Sequence, residues 1–129
     1  MIVNDPAILL EVEAVFARYE AALIGNDVAV LDELFWSDER TIRYGGGENL
    51  YGIEAIRAFR FGRPAGDLGR DLEATVITTY GRDFATASTL FRRASSPGRV
   101  GRQMQSWARM PAGWRVVAAH VSTIADPDA

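Results

Sequence analysis

An arginine stands inside an apolar segment, Thr41-Ile42-Arg43-Tyr44, which predicts a short strand and is followed by three glycines. Removing a guanidinium from water costs several kcal/mol unless an anion pairs with it. Arg43 therefore has two interpretations. It reaches solvent or pairs with the nearby Glu48, or it binds the carboxylate of a ligand. Arginine suits the second role because its planar group donates two parallel hydrogen bonds and keeps its charge inside a pocket.

Tyr19 is the second residue whose position could serve chemistry. It follows Val12 and Phe16 at helical spacing, on the apolar side of the first predicted helix, so we expect its ring to face the sheet. The common structural role is a core tyrosine whose hydroxyl bonds to the backbone. A phenol beside a positive charge is also a better proton donor or relay. Tyr19 and Arg43 together are therefore candidate catalytic residues.

The single histidine, His120, lies on the last predicted strand. Strict alternation along that strand places His120 and Ser122 on the same face as Trp114, Val116 and Ala118. His120 then either makes a structural hydrogen bond or lines a pocket. A lone histidine without cysteines or a spaced carboxylate cluster does not form a metal site, so none is expected.

Gln105 and Arg60 are two further candidates for binding a polar ligand. Gln105 shares a strand face with Gln103 and Trp107, and it either orients a ligand or belongs to a solvated outer face. Arg60 recurs at three-residue spacing on the third predicted helix, and it either lies on a solvated face or turns inward near the helix end. The arginines of this set are Arg57, Arg60 and Arg63.

Several other catalytic patterns are not found in the sequence. No Gly-Lys-Ser/Thr follows the glycines at 45–47, so a phosphate loop is not indicated. A G-x-S-x-G nucleophile motif is not found either. All 14 basic residues are arginine, which excludes a lysine Schiff base, and the lack of cysteine excludes disulfides, thiol catalysis and thiolate metal sites.

The elements that must position these residues follow from periodicity and caps. Asp5 and Pro6 predict the start of a helix over 6–24, and Asp27 caps a second helix over 27–35. A strand over 40–45 precedes a third helix in "GIEAIRAFRFGRP". Four antiparallel strands follow, in "DLEATVITTYG", "DFATASTLFRRA", "RVGRQMQSWARM" and "GWRVVAAHVSTIA". This order predicts an α+β fold, in which the helices cover one face of a curved antiparallel sheet to form a cone.

Composition limits the classes of partner. A chain of 129 residues with 48% hydrophobic content predicts one domain over 1–129 with its own core. A net charge of −3 does not fit a binder of nucleic acids or membrane surfaces. Neither a leader-like start nor an apolar run of about 20 residues is found, so a cytoplasmic location is expected. Alternating Val, Ala and Thr residues in the late strands predict a homodimer through the outer sheet face.

The order of elements and three segments resemble the nuclear-transport-factor-2-like (SnoaL-like) superfamily of cone-shaped α+β domains. The segments are "LDELFW", "TIRYGGGENLYGIEAIRAFRFGRP" and "GWRVVAAHVS". More narrowly, the chain resembles the AtzH-like proteins, a small bacterial group found with amidases in oxalurate and cyanuric acid catabolism. The similarity extends over residues 5–124.

The resemblance implies a decarboxylating amidohydrolase that converts 1,3-dicarboxyurea to allophanate during the breakdown of s-triazine-derived cyanuric acid. It also implies that a first-helix tyrosine and the arginine of the "TIRYG" motif are essential, which here are Tyr19 and Arg43. The substrate would be a small anionic ureido carboxylate, and no metal or organic cofactor is expected. The substrate-binding candidates from the residue analysis are Gln105, His120, Ser122 and Arg60.

Two other functions stay open at this point. A non-catalytic small-molecule-binding or partner domain beside an amidase of ureide catabolism fits the lack of a self-sufficient catalytic triad. An isomerase or cyclase acting on an apolar ring compound would need an Asp or His base in the cone, and an inward arginine argues against it. The sequence does not distinguish dicarboxyurea from oxalurate or another ureido acid.

Overall fold

The computed structural model describes residues 1–64, 66 and 68–129 of the chain. Three helices pack against one curved, open sheet of six strands, which confirms the predicted α+β class. The elements in chain order are α1 (Pro6–Ile24), α2 (Val28–Leu34), β1 (Ile42–Tyr44), β2 (Asn49–Tyr51), α3 (Ile53–Gly62), β3 (Asp71–Tyr80), β4 (Phe84–Arg92), β5 (Arg99–Met110) and β6 (Gly113–Ala125).

Two aspartates set the starts of α1 and α2. The Asp5 carboxylate accepts hydrogen bonds from the Ala7 and Ile8 backbone N–H groups at 3.0 and 3.4 Å, and proline fills the first helical position. Asp27 caps α2 in the same way. Between the two helices Asn26 has a left-handed backbone, with φ of 50°, whereas Gly25 has a φ of −82°. The turn brings the apolar sides of both helices onto the sheet.

The strand order is β2-β1-β6-β5-β4-β3. Strands β3 to β6 are antiparallel neighbours as predicted, and β1 pairs with β6 in parallel. Strand β2 lies in a segment predicted as a loop, because three residues are too few to show alternation. Its Leu50 pairs with Arg43 of β1, and the turn closes with the Gly45 N–H donating to the Glu48 carbonyl at 3.0 Å. Arg43 therefore lies on an internal strand.

A β-bulge interrupts the pairing of β5 with β6. Ser106 lies opposite Ala118, but the next residue of β5, Trp107, lies opposite Val116. Val117 is thus the extra residue. A bulge of this kind shifts the alternation of the strand by one position, so residues beyond it exchange faces.

The bulge corrects the prediction for His120 and Ser122. Beyond Val117 the inward residue is Val121, which lines the space under the helices, while His120 and Ser122 lie on the outer face of the sheet. The predicted shared face with Trp114 is therefore wrong, because uniform alternation does not hold through the bulge.

The core lies between the helices and the inner face of the sheet. Trp107 is completely buried at its centre, and the Tyr19 ring meets it edge-on with a centroid distance of 6.4 Å. Other buried core residues are Ile8, Val12, Phe16, Leu31, Leu34, Phe35, Ile56 and Val116. Within the described part of the chain, no helix combines the length and hydropathy that a membrane crossing requires.

Candidate functional site

A small cavity lies between the helices and the inner face of the sheet. Its volume is about 50 Å³, far below the roughly 300–1,000 Å³ of sites for drug-sized ligands, so it fits only a small molecule. Leucine, isoleucine, valine and phenylalanine side chains form its apolar part. Its polar wall consists of Tyr19, Gln103 and five arginines, Arg43, Arg60, Arg63, Arg70 and Arg93.

Arg43 pairs with Glu48, as one of its two predicted interpretations states, and it also lines the cavity. Its Nη1 donates to Glu48 Oε1 at 2.9 Å, and its guanidinium also lies 5.3 Å from the centre of the Phe59 ring at the cavity wall. The side chain is 15% exposed. Because Glu48 engages a single nitrogen of the guanidinium, the other N–H groups can donate to a ligand in the cavity.

Tyr19 is buried and held by aromatic packing. Its ring lies 6.3 Å from Phe35 and 6.4 Å from Trp107, and these contacts fix the direction of the phenol. The side chain lines the cavity, and its hydroxyl has no hydrogen-bond partner among the described residues. The backbone partner that a purely structural tyrosine would have is therefore not found within this part of the chain.

Arg60 turns inward, and its positive charge is paired with the carboxylate of Asp32. Its Nη1 donates to Asp32 Oδ1 at 2.5 Å, and its guanidinium stacks 4.8 Å above the Phe35 ring. The residue is 5% exposed, so the solvated-face interpretation is wrong for it. This pair joins α3 to α2, and Arg60 lines the cavity.

Arg70, which precedes β3, is the centre of a buried polar chain that the sequence did not reveal. It donates from Nε to Glu20 Oε2 at 3.2 Å, pairs through Nη2 with the other Glu20 oxygen, and donates from Nη2 to Gln103 Oε1 at 2.9 Å. The amide nitrogen of Gln103 is buried and has no partner among the described residues. Gln103 thus lines the cavity and carries an amide nitrogen without a partner in this part of the chain.

The positive charge of Arg63, unlike that of Arg60, is not paired with a carboxylate of the described residues. Its Nη2 donates to Asn26 Oδ1 at 3.3 Å, its buried Nε has no partner, and none of the described carboxylates pairs with it. Burial, followed by the charge of Arg60, lowers the pKa of Arg63. Because α3 ends at Gly62 and Arg63 has an extended backbone, the side chain leaves the helix surface on which the sequence placed it.

Gln105 lies on the inner face, so the solvated-face interpretation is wrong for it too. It is 2% exposed, and its Oε1 accepts from the Trp107 indole N–H at 3.1 Å. Gln105 does not line the cavity, whereas Gln103, two residues earlier, does. His120 and Ser122 face an outer groove on the other side of the sheet.

The AtzH-like family model matches residues 1–127 of the chain. The chain belongs to the AtzH-like family. It is 64% identical to a protein of unknown function of the DUF3225 family from Pectobacterium atrosepticum, with 95% of each chain covered and a TM-score of 0.93. It is 50% identical to a cystatin-like fold protein from Burkholderia xenovorans, with 98% of this chain and 99% of that chain covered and a TM-score of 0.94.

A more distant structure shows the wider fold. A nuclear transport factor 2 (NTF2-like) superfamily protein from Salmonella enterica has 24% identity to the AtzH-like chain, 94% coverage of both chains and a TM-score of 0.73. The resemblance to the AtzH-like group is thus confirmed, and the more distant structure confirms that the chain has the NTF2-like fold. No protein with a curated functional description matches the chain.

Proposed function

We propose that the protein is a cofactor-independent decarboxylating amidohydrolase, which converts 1,3-dicarboxyurea or a similar ureido carboxylate to allophanate in cyanuric acid catabolism. The observation that carries the proposal is the small cavity, where an unbonded phenol faces the same space as a cluster of guanidinium groups. Membership of the AtzH-like family supports it, since the resemblance that singled out Tyr19 and Arg43 is to this family.

The charge of the cavity suits a substrate with two carboxylates on a urea core. Arg43 binds one carboxylate through the N–H groups that Glu48 leaves unused. The apolar residues of the wall lower the local dielectric constant, which strengthens this interaction.

Turnover then requires one bond to break and one proton to move. The C–N bond between a carboxylate carbon and the urea nitrogen breaks, its electron pair stays on the nitrogen, and carbon dioxide leaves. The nitrogen takes the proton of the Tyr19 hydroxyl, and the tyrosinate regains a proton from solvent. The nearby guanidinium groups stabilise the transient phenolate, so positioning and electrostatics supply the rate.

Tyr19→Phe and Arg43→Gln test the two roles separately. The phenylalanine variant keeps the packing on Trp107 but loses the proton, so kcat should fall by roughly 10²–10⁴-fold with KM little changed. Arg43→Gln should raise KM and lower kcat/KM at least about tenfold because a charge-assisted contact is lost. The measurement is carbon dioxide release and allophanate formation by the purified protein from 1,3-dicarboxyurea.

Arg57→Gln is the matched control, because Arg57 is an arginine of α3 that does not line the cavity. Full turnover by a folded Tyr19→Phe variant would exclude the proton role. A wild-type protein that binds dicarboxyurea without consuming it would instead favour the non-catalytic binding domain. Oxalurate in the same assay distinguishes the two ureido acids.

A further inference from the structure

We propose that Arg63 and Gln103 form a second anchor in the cavity, in which the guanidinium binds a ligand carboxylate and the Gln103 amide nitrogen donates to a carbonyl oxygen of the same ligand. The proposal rests on the proposed function for the substrate class. It goes further by assigning selectivity for acids that also carry a urea or amide carbonyl.

The Arg63 part rests on unbalanced charge at a partly buried site. The guanidinium lines the cavity, its one hydrogen bond within the described residues goes to the neutral amide oxygen of Asn26, and its Nε is buried without a partner. A desolvated cation of this kind gains free energy when an anion joins it. Arg60 differs, since Asp32 already binds it.

The Gln103 part rests on a fixed orientation. Arg70 donates to the amide oxygen at 2.9 Å, and Arg70 is itself held by Glu20 and by stacking 4.5 Å from the Phe91 ring. The amide nitrogen therefore points away from Arg70. It is buried and has no partner among the described residues, and the Gln103 residue is only 2% exposed. Buried donors are almost always bonded, so the Gln103 amide nitrogen, which belongs to a side chain that lines the cavity, is the donor that we assign to a ligand acceptor.

The two donors have complementary targets in one small molecule. Both Arg63 and the Gln103 amide nitrogen present N–H groups and no acceptor at this wall. A ureido acid carries a carboxylate near a urea carbonyl. Its carboxylate can accept from Arg63 while its carbonyl oxygen accepts from the Gln103 amide nitrogen. With Arg43 on the second carboxylate, the anchor would hold a dianion such that the scissile nitrogen remains free for Tyr19.

Three stable compounds test the anchor on the wild-type protein by isothermal titration calorimetry. N-carbamoylglycine has the carboxylate and the urea carbonyl, pentanoate has only the carboxylate, and the neutral amide of N-carbamoylglycine has only the carbonyl. We expect N-carbamoylglycine to bind about tenfold or more tightly than either of the others. Equal affinity for pentanoate overturns the Gln103 part, and equal affinity for the neutral amide overturns the Arg63 part.

Variants assign the effects to the residues. Arg63→Gln should weaken both acids about tenfold or more, Gln103→Met should weaken N-carbamoylglycine but not pentanoate, and Arg57→Gln should change neither. Unchanged binding in either cavity variant overturns its part. If Gln103→Met does not fold, the comparison of N-carbamoylglycine with pentanoate on the wild-type protein still tests the Gln103 part.

The failure of this inference differs from the failure of the proposed function. The expected binding pattern without decarboxylation of dicarboxyurea would overturn the proposed function and keep the anchor. Decarboxylation of dicarboxyurea by the wild-type protein, with an unchanged KM in Arg63→Gln, would support the proposed function and overturn the anchor.

Discussion

Arg43 and Arg63 face the same cavity with different charge balance. Glu48 holds Arg43 in place before a ligand arrives, so this guanidinium is preorganised. Arg63 has a neutral partner in Asn26 and an unused Nε, and its pKa is lowered by burial. In the binding mode that we propose, a ligand anion relieves more unfavourable charge at Arg63 than at Arg43, so the two arginines should contribute differently to binding.

His120 is expected to be dispensable for turnover. It lies on the outer face of the sheet, where its ring packs edge-on against Tyr44 at 6.2 Å, and the sheet separates it from Tyr19. His120→Ala should therefore keep kcat and KM within about twofold of the wild-type values, as surface changes have small effects. Steady-state kinetics on 1,3-dicarboxyurea provide the measurement. A tenfold loss in a folded protein of unchanged oligomeric state would contradict this placement.

The sequence predicted some residues of the candidate site but not others, for a physical reason. Tyr19 was predicted from the helical spacing of the apolar residues around it, and Arg43 was predicted because a charged residue interrupts an apolar segment. Gln103 was grouped with its strand neighbours, but its unused amide depends on Arg70, 33 positions away. Arg63 was misplaced because the helix ends one residue before it. Contacts of this kind depend on packing that no local pattern records.

At the level of elements, two-residue alternation predicted the faces of strand β5 correctly but failed in β6 beyond the bulge. Strand β5 alternates without interruption, so Gln103, Gln105 and Trp107 share one face as predicted, and the structure shows that this is the inner face. Strand β6 contains Val117 as an extra residue, and everything beyond it exchanges faces. No signal in β6 itself marks the bulge, because valine is an ordinary strand residue. The helices were predicted within two residues because their caps and apolar spacing agree.

Gly101 of β5 tests how the strands support the polar chain. A Cβ added there would lie 2.1 Å from Phe91 Cζ, so the ring would have to move. Phe91 stacks against Arg70 at 4.5 Å and against Arg93 at 4.9 Å. Gly101→Ala should lower the free energy of unfolding by about 1–3 kcal/mol through overpacking, and it should weaken binding of N-carbamoylglycine.

Urea denaturation measures the stability change as a lower midpoint at an unchanged slope. Gly46→Ala is the matched control, because a Cβ at this exposed glycine meets nothing within 4 Å. Its free energy of unfolding should stay within about 0.5 kcal/mol of the wild-type value. A Gly101→Ala variant as stable as this control would contradict the close contact with Phe91.

At the scale of the whole molecule, positively charged side chains are concentrated around the cavity although the net charge of the chain is negative. The chain carries −3 overall, yet five guanidinium groups surround one small cavity. They come from β1, α3, and the segments that follow α3, precede β3 and follow β4. The site thus exists only when helices and sheet are assembled, and local unfolding of either layer should abolish it.

The outer face of the sheet gives the last prediction, which concerns assembly. A row of paired residues crosses five strands there, and it consists of Tyr44, His120, Met104, Ser88 and Val76. Met104 and Val76 are 55% and 57% exposed, and a groove of about 560 Å³ runs beside Met104. We propose that a second copy of the chain covers this apolar face, since burial of such a surface drives association.

Met104→Glu tests the proposed homodimer. Around a two-fold axis at this face, the variant would bring two carboxylates into a buried contact without partners, which costs several kcal/mol. Light scattering at micromolar concentration should give the mass of a dimer for the wild-type protein and of a monomer for the variant. Met104→Leu is the control, because it keeps the apolar contact and should remain dimeric. A monomeric wild-type protein, or a dimeric glutamate variant, would place the assembly surface elsewhere or exclude it, while the inner cavity across the sheet would be unaffected.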